Sequence, residues 1–132
     1  MRILLDTHVF LWLITGDSRM PPAFRSAIQD SNNQVFLSIA SIWEAVIKYS
    51  LKKLVLPGPP STYLPRQREE HHIASLLIDE QTFPHLAQLP SLHRDPFDRI
   101  LIAQALANGL LLASVDPSII AYGSPLLSEL GS

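Results

Sequence analysis

Short apolar runs alternate along this chain with longer stretches of helical periodicity, and few architectures accept that alternation. ILL at 3–5, VFLS at 35–38, SLLI at 75–78 and LLLAS at 110–114 are nearly unbroken apolar segments, as expected of strands buried on both faces. Strands are therefore expected near 2–5, 34–38, 75–78, 110–114 and 125–128. Helices are expected over 8–14, 22–30, 39–53, 61–71, 80–88 and 96–107, with a short helical turn after Pro117. This is the pattern of an α/β fold, a parallel sheet covered by helices on both faces. The clearest helical signal is Ile39, Ile42, Trp43, Val46, Ile47 and Leu51, whose three-and-four spacing gathers one apolar face expected to pack on the sheet. The prolines of LPGPPSTYLP at 56–65 read as a connecting loop.

At 132 residues, 47% of them hydrophobic, the chain reads as one domain over 1–132 with a sizeable core. It has no cysteine, so any metal must be held by oxygen or imidazole. A net charge of −2 argues against broad attraction to a polyanion. A nucleic-acid substrate would need metal ions and a local basic rim, for which Lys48, Lys52, Lys53, Arg94 and Arg99 are the candidates. No apolar run approaches the roughly 18 residues of a membrane span, and MRILLD lacks the features of a signal peptide, so a cytoplasmic protein is expected. Glycine-rich phosphate loops and GxSxG elbows are absent, which excludes nucleotide-driven enzymes.

Four carboxylates fall where such a fold gathers ligands, outside the carboxyl ends of its strands: Asp6, Glu44, Asp98 and Asp116. Each also has a purely structural reading. Asp6 and Asp116 follow apolar runs and could cap the next helix, and Asp116-Pro117 has the proline favoured at a first helical position. Ser41-Ile42-Trp43-Glu44 matches a capping box and Glu44 precedes Lys48 by four residues, which suits a helical ion pair, while Ser38 is the better cap for the helix. In Asp95-Pro96-Phe97-Asp98 the first acid reads as the cap. Asp98 opens a helix apolar around most of its girth, where a buried carboxylate needs a partner such as a metal ion. Asp79 reads as a cap, and the five histidines show no metal-ligand spacing.

Taken together, LLDTHVFLW at 4–12, SIASIWEAVIK at 38–48, HRDPFDRILIAQA at 93–105 and LLASVDPSI at 111–119 resemble the PIN-domain ribonucleases, and within them the VapC-type toxins of bacterial toxin–antitoxin pairs. The resemblance runs in order over essentially the whole chain. It implies a three-layer α/β/α fold whose sheet has five parallel strands in the order 3-2-1-4-5. The family's four acids fall on Asp6, Glu44, Asp98 and Asp116, gathered around Mg²⁺ or Mn²⁺. The implied activity is metal-dependent endoribonuclease cleavage by activated water, restrained by a cognate small antitoxin protein, in a homodimer. The competing reading is a catalytically silent PIN-like module that binds protein or RNA. A haloacid-dehalogenase-like phosphatase would need a second Asp two residues after the first, and that position is His8.

Overall fold

A computed structural model of the chain describes residues 1–92, 95–123 and Leu126. Strand β1 (Arg2–Leu5) lies inside a parallel sheet. It is paired on one side with β2 (Gln34–Ser38) and on the other with β4 (Leu111–Ala113), and β3 (Ala74–Leu76) pairs with the outer side of β2. Ile3 stands opposite Val35 and Leu111, which fixes the register at the sheet centre. The order is therefore β3-β2-β1-β4, four strands among the described residues where five were expected. Of the expected strand at 125–128, Leu126 makes a parallel bridge to Leu112, and the rest of that segment lies outside the described residues.

Parallel strands need crossover connections, and helices supply them. The helices are α1 (Thr7–Thr15), α2 (Pro22–Gln29), α3 (Ile39–Ser50), α4 (Pro60–Glu70), α5 (Thr82–Gln88), α6 (Pro96–Asn108) and α7 (Pro117–Ile120). Successive side chains of β1 point to opposite faces and seed two cores. Ile3 and Leu5 pack with Val9, Phe10, Phe24 and Leu64, from α1, α2 and α4. Leu4 packs with Leu101, Ile102 and Ala105 of α6 and Ile119 of α7. Gly109, at φ 64, ends α6 in the left-handed conformation and turns the chain into β4.

Two expectations fail in instructive ways. Most of the apolar stripe of α3 does not pack on the sheet: Ile42 is half-buried against the core, but Ile39, Trp43, Val46 and Leu51 are exposed, and the buried positions are Ala40, Ser41, Glu44 and Ala45. Small residues let the helix lie close to its neighbours, so a helix with a strong apolar period turns most of that period to solvent. The proline-rich loop is also shorter than expected. Pro60 starts α4 at a position where a proline's missing N–H costs nothing, and Pro65 lies within the helix, next to buried Leu64.

Candidate metal centre

Asp6 leaves β1 still held by the sheet, its amide donating to the Ala113 carbonyl at 3.0 Å. It occupies the cap position of α1, yet its carboxylate makes no capping hydrogen bond. Instead Asp6 Oδ2 accepts from the Ser114 hydroxyl at 2.9 Å, in a place where Asp6 is only 2% exposed. Burial pushes the Asp6 carboxyl above its usual range. The Ser114 hydrogen bond and then His8 act in the opposite direction, and the charge of Asp116 adds to the rise.

Ser114 also accepts from the Asp116 amide at 3.1 Å, so one hydroxyl joins the exits of adjacent strands β1 and β4. Asp116 itself caps α7, with Oδ1 accepting from the Ser118 amide at 2.9 Å. The cap reading thus describes one oxygen of Asp116, whereas Asp6 Oδ2 is taken by Ser114. Nothing in the motif reading singled out Ser114. Its signal was a hydroxyl ending the apolar run LLLA, two residues before an acid.

The other two acids come from helices. Ser38 caps α3 by accepting from the Ala40 amide at 3.0 Å. The Thr7 hydroxyl donates to Ser41 at 2.8 Å in a buried contact that ties the start of α1 to the start of α3. Glu44 lies three residues on, along the same face of α3, and is buried. Its Oε2 accepts from Lys48 Nζ at 2.7 Å, while Oε1 is buried with no hydrogen-bond partner. Asp98 is a buried acid in the first turn of α6. Asp95 caps that helix, its Oδ1 accepting from the Phe97 amide at 2.9 Å and the Asp98 amide at 3.4 Å. Helices α3 and α6 pack together, and the charges of Asp95 and Asp98 act on Lys48.

Asp6 and Asp116 are therefore linked through Ser114, and Glu44 and Asp98 stand on helices α3 and α6, which pack together. Among the described residues, no group of three or more His, Asp or Glu is close enough to hold a metal ion. The donor chemistry nonetheless fits a hard divalent cation: every candidate is a carboxylate, and a buried Glu44 oxygen lacks any partner. Asp79 stands apart, after edge strand β3, where its Oδ1 accepts from the Gln81 amide at 2.8 Å. Of the basic candidates, Lys48 meets the acids directly. Arg99 is instead held by the Pro90 carbonyl and the Tyr122 hydroxyl, both at 2.9 Å, and Arg94 lies outside the described residues.

A parallel sheet with carboxylates at the carboxyl ends of its central strands matches a known family. The PIN domain matches residues 3–124, and the chain belongs to that family. Over 61 residues it is 36% identical to Ribonuclease VapC16 of Mycobacterium tuberculosis, a match covering 46% of this chain and 43% of that protein. The chain thus spans less than half the length of that curated relative. Among solved structures, VapBC2 from Rickettsia felis bound to a DNA fragment from their promoter superimposes with a TM-score of 0.71 at 13% identity, covering 96% of both chains. DNA-bound VapBC from Salmonella typhimurium gives 0.68 at 16% identity, again covering 96% of both chains. FitAcB from Neisseria gonorrhoeae gives 0.57 at 22% identity, covering 94% of this chain and 95% of that one. At these identities the likeness is one of fold.

Proposed function

We propose that this chain is a metal-dependent endoribonuclease and the toxin of a toxin–antitoxin pair. The observation that carries the reading is the burial of Asp6 and Glu44 where the fold collects ligands, with Glu44 Oε1 lacking any partner. A fold that needed these positions only for stability would do better with apolar residues there. The family membership and the ribonuclease relative support the same direction.

Asp6 and Asp98 are the proposed direct ligands, Asp116 completes the site, and Glu44 holds a second ion or orients the attacking water. When bound, Mg²⁺ or Mn²⁺ supplies the charge that offsets the RNA phosphate and lowers the pKa of water. The chain's own part is to keep water from the back of the carboxylates and to hold Asp6 still. Ser114 does the latter, fixing Oδ2 by its hydroxyl. The segment carrying Leu126 is proposed as the fifth strand, beside β4, in the order 3-2-1-4-5.

Two protein partners belong to this reading. A small antitoxin would lay an apolar segment along α1, where a hollow of about 350 Å³ is lined by Leu11, Trp12, Val55 and Leu56, and place a basic side chain among the acids. A second copy of the chain would cover exposed Trp43, Ile39 and Val46, beside an apolar hollow of about 240 Å³ formed with Phe83 and Phe97. The described helices include none long and apolar enough to cross a membrane.

The test is cleavage of mixed RNA by purified protein with Mg²⁺, Mn²⁺ or a chelator, alongside Asp6→Asn and Asp98→Asn. Cleavage that needs metal and fails in both variants is expected; near-normal cleavage by both would refute the site. One observation favours the silent alternative: no three acids among the described residues share one ion's reach. RNA binding without metal-dependent cleavage would select that alternative.

A further inference from the structure

The acidic set already contains a cation. Lys48 Nζ reaches Glu44 Oε2 at 2.7 Å, one helical turn along α3, and the side chains are 40% and 3% exposed respectively. An ordinary pair at this spacing lies in solvent, with water completing both ends. Here the carboxylate is out of water and its Oε1 has no partner, so the lysine satisfies half of an acid buried beyond what one ammonium needs. Helix α6, with Asp95 as its cap and Asp98 in its first turn, packs against α3, so these acids share the side of the fold that carries the Glu44–Lys48 pair.

We propose that Lys48 is the resident counter-cation of this acidic cleft, compensating Glu44 in the metal-free protein and yielding the carboxylate to an incoming divalent cation. The inference rests on the metal reading above and assigns a role to a residue outside the four acids. An ammonium suits the role because it is a point charge on a flexible stem. At 40% exposure, its head can swing into solvent without unpacking α3. Glu44 cannot follow, so the vacated oxygen and the partnerless one would both face the new cation.

The experiment measures Mn²⁺ binding by calorimetric titration and melting with and without Mn²⁺, for the wild type, Lys48→Met, Lys48→Arg and the double variant Glu44→Gln/Lys48→Met. Lys48→Met should melt lower without metal, bind Mn²⁺ about tenfold more tightly, and gain more from saturating Mn²⁺ than the wild type does. About tenfold is the order expected for removing one screened charge beside a divalent ion. Lys48→Arg should bind as the wild type does. The double variant, which neutralises both partners, should recover metal-free melting and lose the tightened binding; should Lys48→Met not fold, Lys48→Gln takes its place. Unchanged or weaker Mn²⁺ binding in the lysine variant, with wild-type binding intact and abolished by Asp98→Asn, would overturn this inference alone. Absence of any Asp98-dependent Mn²⁺ binding in the wild type would overturn the metal reading and this inference with it.

Discussion

Replacing Ser114 by alanine tests whether one hydroxyl holds the two strand exits together. The change removes an O–H···O hydrogen bond of 2.9 Å to the buried Asp6 carboxylate and the acceptor for the Asp116 amide at 3.1 Å. A hydrogen bond to a charged group contributes about 1.5–3 kcal/mol and a neutral one about 0.5–1.5. Asp116 is half-buried, so water replaces part of the second, and the expected loss is about 2–4 kcal/mol. For a chain of 132 residues at the usual unfolding entropy, that lowers Tm by about 7–14 °C. The assay is urea denaturation of the metal-free protein at neutral and acidic pH, in a double-mutant cycle with Asp6→Asn. The Ser114–Asp6 coupling should shrink as pH falls, because a protonated Asp6 no longer offers a charged acceptor. A Ser114→Ala loss below about 0.5 kcal/mol, less than one neutral hydrogen bond, or additivity in the cycle at neutral pH, would refute the bridge.

Asp6→Asn should stabilise the metal-free protein at pH 7. Burial raises the Asp6 pKa in the folded state above the unfolded 3.8, so its charged form opposes folding above the folded pKa and that cost disappears as pH falls through it. Stability curves for the variant and the wild type should therefore converge in acid, and a gap that widens there would contradict the sign. Asp95→Ala should lose about 0.5–2 kcal/mol, since it removes the cap of α6, while keeping most RNA cleavage; loss of cleavage with unchanged stability would move the third acid to Asp95. Trp43→Glu should turn a dimer into a monomer in sedimentation without lowering Tm, because Trp43 is 59% exposed in the single chain. A dimer that survives the change lies on another face.

The sheet and its caps were legible because they depend on local chemistry. Ser38 and Asp95 cap where their hydroxyl and carboxylate precede a helical period, and β1, β2 and β4 fall on unbroken apolar runs. The orientation of α3 was not legible. A hydrophobic period reports that a face avoids water, and it cannot tell a face turned to the core from one turned to a partner. Ile39, Trp43 and Val46 are exposed while Glu44 is buried, the reverse of what hydropathy alone orders. The acids were legible as four positions but not with their partners. Those depend on Ser114, 108 residues from Asp6, and on Lys48, one helical turn from Glu44.

The strand that delivers Asp6 is bonded on both edges, and the Asp6 amide is itself within the β1–β4 ladder. Amides so placed exchange with deuterium only when the whole domain opens. Helix α7, which Asp116 caps, is four residues long with Ile119 alone buried, so its opening is local. The two acids joined by one hydroxyl thus belong to units that open on different clocks. Deuterium uptake should reach Ile120 long before Leu5, and a ligand that slows uptake at α7 without changing it at β1 would be acting on the Asp116 side of the cleft.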